Sequence, residues 1–262
     1  NTGVWSKKAI TEAQLFGTIK IPFSSEAEGF NRVPSANEIT FSKDAKFVHF
    51  TSNNTIYGTQ FQTEPETNGI PLVCDASSDF LSRPIEIDKY GLIYAGAQKN
   101  LGPAGATLYI VKDEILGKST SPFMPTYLDL KQQVEKESML NTPPVFSVYV
   151  AMLNLRNLIA NGGVKAMEER NNAKAALLYK EIDENPAFRG AVEVEDRSNM
   201  NVTFLLNDES RTEEFDTMWK AAGIVGLPGH RSVGGYRASI YNALPIESIQ
   251  VLVDVMRAFN QH

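Results

Sequence analysis

The chain has 262 residues, of which 42% are hydrophobic and 21% are charged, and its formal net charge is −6 at pH 7. Such a composition is typical of a globular protein with room for one large domain and a smaller one. The negative charge argues against a nucleic-acid partner, and the lack of an apolar run of membrane-spanning length argues against a membrane protein. A single cysteine, Cys74, and no signal peptide at the start predict a reducing cytoplasm.

The start of the chain predicts a loop followed by a helix. Residues 1–6 (NTGVWS) indicate a strand end and a loop, and Ser6 is a candidate N-cap for a helix over about 7–16. A loop tryptophan such as Trp5 is usually half-buried packing, and the alternative is that its ring stacks on a flat ligand.

Later apolar runs predict strands that end beside polar residues. Thr55 lies in a strand-to-loop turn after 46–51, where α/β sheets present side chains to ligands. The run PLVCD ends in Asp75, the run LIYA precedes Lys99, and 106–111 forms a further strand. This alternation of strands with helix- or turn-length segments predicts an α/β fold with a mostly parallel sheet.

Lys99 and Asp75 are the candidate catalytic pair. Lys99 follows a buried strand among small residues (AGAQKNLGPAG), and burial favours the neutral amine, which is the form that attacks a carbonyl. Lys99 is therefore a candidate Schiff-base lysine. A lysine that holds the aldehyde and a carboxylate that pairs with the pyridinium nitrogen are the two groups that pyridoxal phosphate needs. Asp79 and Asp88 lie in polar sequence, which predicts solvated loops for both.

The second half of the chain predicts helices around a small sheet. An apolar repeat over 145–158 predicts a helix that ends at 161–163 (NGG), where we place a boundary between a large domain, 1–160, and a small α+β domain, 161–262. The elements expected in the small domain are a helix over 164–183, a strand over 201–206, a helix opened by a capping box of Ser210 and Glu213 that buries Trp219, a strand over 237–241 and a last helix after Pro245.

A cluster of basic residues near the C-terminus indicates an anion site. The stretch GHRSVGGYRAS places His230, Arg231 and Arg237 within eight residues, with glycines between them that let backbone approach a ligand. Arginine binds carboxylate and phosphate groups in bidentate fashion. A surface loop with salt bridges is the alternative, and the pattern alone leaves both open.

Several of these stretches together resemble the phosphoserine aminotransferases, in the class V branch of the fold-type I pyridoxal-phosphate enzymes. The similar segments are CDASSDFLSRPIEIDKYGLIYAGAQKNLGPAG at 74–105, NTGVWS at 1–6, NTPPVF at 141–146 and GHRSVGGYRASIYN at 229–242. The resemblance runs over nearly the whole chain. Roughly the first hundred residues of the family, including a Gly/Ser-rich turn for the cofactor phosphate, have no counterpart here.

The resemblance implies a fold-type I enzyme that uses pyridoxal 5′-phosphate. It implies that Lys99 carries the cofactor and that Asp75 keeps the ring nitrogen protonated. In the family, the residue matching Trp5 stacks on the pyridine ring, the residue matching Thr55 binds near the phenolic oxygen, and the residue matching Gln98 contacts the phosphate. No metal is implied.

The resemblance also implies a substrate and a homodimer with shared sites. Arg237 matches the residue that takes the α-carboxylate, and His230 and Arg231 match a pair that binds the phosphate of the neighbouring subunit's substrate. Asn141 and Thr142 match a pair that reaches the neighbouring cofactor's phosphate. The implied reaction transfers the amino group of glutamate to 3-phosphooxypyruvate, giving O-phosphoserine and 2-oxoglutarate in serine biosynthesis, and the family is also linked to pyridoxine biosynthesis.

Other functions stay open at this point. A glyoxylate aminotransferase of class V has no use for His230 and Arg231, and a cysteine desulfurase needs a nucleophilic cysteine in a mobile loop, whereas Cys74 lies in a predicted strand. An inactive or cofactor-less fragment that binds a partner or nothing is the alternative outside enzymes, because the family's N-terminal part is absent from this chain.

Overall fold

The computed structural model describes residues 1–119, 123–231 and 233–261. Within these ranges the strands are β1 (Val48–Thr51), β2 (Asn53–Asn54), β3 (Thr59–Gln60), β4 (Leu72–Asp75), β5 (Tyr90–Gly96), β6 (Thr107–Val111), β7 (Phe188–Gly190), β8 (Asn201–Leu206) and β9 (Tyr236–Ser239). The α-helices are α1 (Val4–Ala13), α2 (Leu130–Glu135), α3 (Val145–Ala160), α4 (Gly163–Glu184), α5 (Thr212–Ala221) and α6 (Ile246–Asn260). None of the described helices is long and apolar enough to cross a membrane, and the same residues contain no group of three or more side chains suited to hold a metal ion.

Four strands form one sheet in the order β1-β4-β5-β6, which we call the N-terminal sheet. β4 runs parallel to both β1 and β5, whereas β6 runs antiparallel to β5. Leu72, Cys74 and Ile93 are buried at alternate positions of these strands, as expected for apolar residues that face a core. The expected α/β fold with a mostly parallel sheet is confirmed, and the carboxyl ends of β1, β4 and β5 meet at one edge.

Three strands form a second, antiparallel sheet in the order β7-β8-β9, which we call the C-terminal sheet. Its core, shared with α4, α5 and α6, includes the buried rings of Phe204, Phe215 and Phe259. Trp219 packs into the same core, as predicted. The predicted helices and strands of this part are therefore confirmed in kind, and β7, with three residues, was too short to predict. The division into two domains at residue 160 stays a prediction.

Buried polar side chains join the two sheets. Asn53 Nδ2 donates to Asn201 Oδ1 at 2.8 Å, and Asn53 Oδ1 accepts from the Ser198 hydroxyl. The Thr203 hydroxyl donates to the Tyr57 carbonyl at 2.9 Å. Because an unpaired polar group in the interior costs free energy, these bonds fix the turn between β2 and β3 against β8.

Helix α1 begins earlier than predicted. It starts at Val4, and Ser6 lies in its first turn instead of at the N-cap. The Ser6 hydroxyl accepts hydrogen bonds from the backbone N–H groups of Thr2 and Gly3 at 2.9 and 3.0 Å, so it stabilises the start of the helix from inside. Trp5 is therefore a helical residue and not a loop residue, and 43% of its surface is exposed.

Helix α3 has the predicted position but a different buried face. Val145, Val148 and Tyr149, which belong to the predicted apolar stripe, are all more than half exposed. The buried face instead includes Ser147 and Ala151, which pack against the turn after β5, and the Ser147 hydroxyl donates to a carbonyl of that turn at 2.7 Å. Small residues let the helix approach this turn closely, which the apolar period alone does not reveal.

Helix α5 does not begin with the predicted capping box. It starts at Thr212, after a short 3-10 turn over Glu209–Arg211. The side chain of Asp208 accepts the Ser210 N–H at 3.0 Å, so the aspartate takes the capping role that Ser210 was expected to have.

Lys174 is a buried cation in the middle of α4. It is 2% exposed, and its Nζ donates to the carbonyls of Ile240 and Tyr241 at 2.9 and 2.8 Å. These bonds anchor the end of β9 to α4, but neither acceptor carries a charge. Burial therefore lowers the pKa of Lys174 to about 8.

This pKa predicts how stability changes in alkaline solution. Between pH 8 and 10.5 the unfolded chain holds a proton on Lys174 that the folded chain has released, so the free energy of unfolding should rise with pH. Relative to Lys174→Met, the wild type should gain on the order of 1–3 kcal/mol across this window. Urea unfolding at several pH values measures the gain, and Lys180→Met, an exposed change on the same helix, is the control. Identical pH dependence in wild type and Lys174→Met would contradict the assignment.

Candidate active site

Lys99 lies in the turn that follows β5, at the carboxyl edge of the N-terminal sheet. The turn is closed by backbone bonds from Ala97 N to Ala106 O at 3.0 Å and from Gly102 N to Ala97 O at 2.6 Å. Lys99 Nζ donates to the Thr55 hydroxyl oxygen at 2.7 Å. The amine predicted to react is thus held by a threonine from the turn between β2 and β3.

The surroundings of Lys99 favour its neutral form more than water does. Burial is the largest influence and lowers the pKa of Lys99. The negative charges of Asp75 and Asp79 act to raise this pKa, and the positive charge of Arg237 acts to lower it. The amine therefore loses its proton at a lower pH than an exposed lysine, as a nucleophile requires.

Asp75 ends β4 and lies between the ends of two neighbouring strands. In the sheet register it pairs with Thr51 of β1 and with Tyr94 of β5. Its Oδ1 accepts the Ser77 N–H at 3.0 Å, and the residue is half-buried. Because β4 and β5 are adjacent and parallel, the carboxylate of Asp75 and the turn that carries Lys99 belong to the same edge of the sheet.

His49 and Tyr94 are site residues that sequence reasoning missed. Tyr94 OH lies 3.0 Å from His49 Nε2, and the field of Asp75 acts on both side chains. Burial lowers the pKa of His49 and raises that of Tyr94. The signal was present in the alternation of β1, since His49 and Thr51 lie on the same face and Thr51 pairs with Asp75.

Arg237, a residue of the C-terminal sheet, also contacts Thr55. It lies on β9, and its Nη1 donates to the Thr55 carbonyl at 3.3 Å. Its Nε is buried and has no hydrogen-bond partner among the described residues. A guanidinium with an unused buried donor fits a planar anion such as a carboxylate. Thr55 therefore contacts Lys99 through its hydroxyl and Arg237 through its carbonyl.

Asp79 is not the solvated loop residue that its polar sequence predicted. It is 7% exposed and accepts hydrogen bonds from the Ser52 hydroxyl and, at 3.1 Å, from Gln60 Nε2. The turn after β4 folds inwards, with Asp79 N bonded to the Ala76 carbonyl, and this brings the carboxylate into the core. Asp88 is exposed, as predicted.

The other predicted cofactor residues lie at three different places in the chain. Gln98 is exposed, and its amide covers Gly96, where an added Cβ would come within 2.6 Å of Gln98 Oε1. The ring of Trp5 has Lys8 Nζ 4.9 Å from its centroid. Asn141 and Thr142 are exposed in the segment before α3. Gln98 is the chain neighbour of Lys99, but within the described residues the Lys99 amine is hydrogen-bonded to Thr55 and to none of these four side chains.

His230 and Arg231 lie in a tight turn before β9. The His230 carbonyl accepts the N–H groups of Val233 and Gly234 at 2.8 and 2.9 Å, and Gly234 has a φ of 80°, which only glycine adopts readily. His230 is half-buried and Arg231 is exposed. Ser232, which follows them, lies outside the described residues. The turn thus presents Arg231 to solvent.

A family model described as Aminotransferase class-V matches residues 1–252. The chain is 60% identical over 258 residues to a phosphoserine aminotransferase of Flavobacterium johnsoniae, a match that covers 98% of this chain and 71% of that relative. It is 51% identical to one of Azobacteroides pseudotrichonymphae, covering 100% of this chain and 72% of the relative.

Solved structures agree with these matches. A phosphoserine aminotransferase from Bacillus circulans subsp. alkalophilus superposes with a TM-score of 0.95 at 44% identity, covering 99% of this chain and 72% of that one. A PLP-bound phosphoserine aminotransferase from Trichomonas vaginalis superposes with a TM-score of 0.87 at 36% identity, covering 98% and 73%. The chain therefore belongs to the class-V aminotransferases and, within them, to the phosphoserine aminotransferase family. The resemblance seen in its sequence motifs is confirmed.

The effect of Arg237 on the pKa of Lys99 predicts how the reactivity of Lys99 changes when Arg237 is replaced. Arg237→Gln removes a positive charge, so the pH at which Lys99 becomes neutral should rise, and Lys99 should react more slowly with a small acylating reagent near pH 8. Peptide-resolved mass spectrometry of the acylated protein measures this, with the exposed Lys43 as internal reference. Arg257→Gln, on α6, is the matched control. Faster acylation of Lys99 in Arg237→Gln would contradict the assignment.

Proposed function

We propose that this chain acts as a pyridoxal-phosphate-dependent aminotransferase that passes the amino group of glutamate to 3-phosphooxypyruvate, giving O-phosphoserine. One observation carries the proposal: Lys99 and Arg237, a buried amine and an anion-binding guanidinium, meet on the two sides of Thr55. The first supplies covalent attachment for a carbonyl cofactor, and the second supplies recognition of an amino-acid carboxylate.

The donor set fits pyridoxal phosphate. Lys99 offers an amine with a lowered pKa, and Asp75 offers a carboxylate at the end of the adjacent strand. Thr55 offers a buried hydroxyl beside the amine. A relative bound to PLP has the same fold at 36% identity, which supports the assignment. We propose that Lys99, Asp75, Thr55, Trp5 and Gln98 hold the cofactor.

When bound, pyridoxal phosphate supplies an electron sink for charge that develops at the α-carbon of an amino acid. Lys99 Nζ would hold the cofactor, and as a free amine it would accept the proton that leaves the α-carbon of the amino acid. The Asp75 carboxylate holds the proton of the ring nitrogen. Arg237 binds the α-carboxylate and so orients the amino acid towards Lys99, since both contact Thr55. The Thr55 hydroxyl oxygen accepts a hydrogen bond from the Lys99 amine and fixes the direction of that amine.

We propose that the phosphate of the substrate and the partner subunit complete the site. Arg231 lies on an exposed turn, and Asn141 and Thr142 lie on an exposed segment. Exposed positions are what contacts across a homodimer require, so His230 and Arg231 would bind the neighbouring substrate's phosphate, and Asn141 and Thr142 the neighbouring cofactor. A homodimer and a role in pyridoxine biosynthesis are further proposals that rest on the family resemblance. A cytoplasmic location and a domain boundary at residue 160 are proposals that rest on the sequence patterns described above.

The state of Cys74 disfavours a cysteine desulfurase. Cys74 is buried in β4, and burial raises the pKa of its thiol well above the usual range. A nucleophilic cysteine needs both access and thiolate character, and Cys74 lacks both features.

The first test is labelling of Lys99. The purified protein incubated with pyridoxal phosphate should develop a yellow absorbance band, and borohydride should then fix one cofactor molecule on Lys99, detected in the peptide by mass spectrometry. Lys99→Ala should show neither, whereas Lys43→Ala, an exposed control, should behave as wild type. Absence of label at Lys99, both in this chain and in a form extended to the length of its relatives, would refute the cofactor assignment and favour a cofactor-less fragment.

The second test separates the two arginines. Arg231→Ala should weaken the half-reaction with phosphoserine by roughly 2–5 kcal/mol, the loss when one member of a buried charge pair is removed, and should spare the half-reaction with glutamate. Arg237→Ala should impair both, because both substrates carry an α-carboxylate. Single-turnover spectra of each half-reaction in the dimer measure the difference. Equal damage to both half-reactions by Arg231→Ala would remove the phosphate assignment and leave an aminotransferase of class V without a defined substrate.

A further inference from the structure

Asp79 is a buried carboxylate that forms no ion pair with any residue in the described ranges. Its oxygens are bonded by two neutral donors, the Ser52 hydroxyl and Gln60 Nε2. Arg83 is the basic residue whose charge acts on it, but Arg83 Nη1 lies 3.8 Å from a carboxylate oxygen of Glu64. A buried charge without an opposite partner costs free energy, so its place beside the active-site strand needs a physical reason.

Ser52 connects Asp79 to the end of β4. The Ser52 N–H donates to the Asp75 carbonyl at 3.0 Å, and the Ser52 hydroxyl lies within hydrogen-bond distance of both this carbonyl and Asp79 Oδ1. A hydroxyl has a single proton to donate. The contact with Asp79 is the shorter of the two, which assigns the hydroxyl proton to the carboxylate of Asp79.

Gln60 connects Asp79 to the segment before the C-terminal sheet's central strand β8 and donates to its second carboxylate oxygen. Gln60 Oε1 accepts the Asn199 N–H at 2.9 Å, which directs Nε2 of the same amide towards Asp79 Oδ2. That oxygen must therefore be an acceptor. With donors facing both oxygens, the ionised form of Asp79 uses every hydrogen bond available to it. Burial raises the pKa of Asp79, and the bonds from Ser52 and Gln60 act to lower it.

The turn that holds Asp79 contacts the turn that carries Lys99, because Asn100 Nδ2 donates to the Phe80 carbonyl at 2.9 Å. The charged groups that act on the Lys99 amine are Asp75 at the end of β4, Asp79 in the turn after it and Arg237 on β9. The two aspartates favour the protonated amine, whereas burial and Arg237 favour the neutral one. Without Asp79, the amine would have one negative neighbour, Asp75, and one positive neighbour, Arg237, which act on its pKa in opposite directions.

We propose that Asp79 is a positioning residue whose buried negative charge, held by Ser52 and Gln60, sets the protonation of Lys99 together with Asp75, without contact to substrate or cofactor. The inference rests on the proposed role of Lys99. Its test follows the proton of Lys99 and not turnover, so the two proposals can fail separately.

The test measures the pH dependence of Lys99 acylation in the protein without cofactor, by peptide-resolved mass spectrometry. Asp79→Asn should move the midpoint to lower pH and give about threefold more acylation of Lys99 at pH 8, because a negative neighbour is lost. Asp88→Asn, which removes an exposed carboxylate, should leave the midpoint unchanged, and Lys43 serves as internal reference.

Ser52→Ala distinguishes charge from packing. This variant removes one hydrogen bond of Asp79 but keeps the carboxylate and the bond from Gln60, so the Lys99 midpoint should move less than in Asp79→Asn. An equal shift in Ser52→Ala and Asp79→Asn would mean that loosened packing moves Lys99, and the proposal would fall. An unchanged midpoint in a folded Asp79→Asn protein would overturn it as well.

The wild-type protein allows a further check that requires no variant. Carbon-13 NMR of protein labelled at the aspartate carboxyl groups reports the charge of Asp79 as pH is varied. We expect an ionised carboxylate at pH 8, where the Lys99 measurement is made. A neutral Asp79 at that pH would overturn the proposal, since there would be no charge to act on Lys99.

Discussion

The burial of one amine is the constraint on which this site depends. Lys99 lies in a turn packed beneath α3, and burial alone would make its charged form unfavourable. The Thr55 hydroxyl offers the amine a hydrogen bond, and two aspartates offset part of the lost hydration. These partners come from separate parts of the chain, so the reactivity of Lys99 requires the parallel pairing of β4 and β5 and the turn between β2 and β3 together.

Thr55 contacts one residue from each of the two sheets. Its hydroxyl faces Lys99 of the N-terminal sheet, and its carbonyl accepts Arg237 of the C-terminal sheet. The buried bonds of Asn53 with Asn201 and Ser198 hold the same turn from the other side. Because these amides have no exposed alternative partner, the position of Arg237 relative to Lys99 is fixed by the fold and not by the flexible arginine side chain alone.

The parts of the site that lie at strand ends could be predicted from the sequence, and the parts that depend on how a loop folds could not. Asp75 and Lys99 each follow an apolar run, and adjacent parallel strands must bring such ends to one edge. Asp79 follows in a polar stretch whose inward turn no periodicity reveals. His49 shares a face with Thr51, but its contact with Tyr94 depends on a strand order that one sequence does not contain. The predicted buried face of α3 was wrong for a related reason. Small residues of the helix, not its apolar stripe, allow close packing against the turn that carries Lys99.

The signs of the surrounding charges suit the two tasks proposed for Lys99. Arg237 lowers the pKa of Lys99, which favours the neutral amine needed to attach a carbonyl compound. A carboxylate bound to Arg237 cancels that positive charge, and Asp75 and Asp79 then act on the amine without opposition from it. Under the proposed function, the pKa of Lys99 would therefore rise when an amino acid is bound, and a stronger base is what the transfer of the α-proton requires. The arginine proposed to recognise the substrate would thus adjust the lysine from nucleophile to base through its charge.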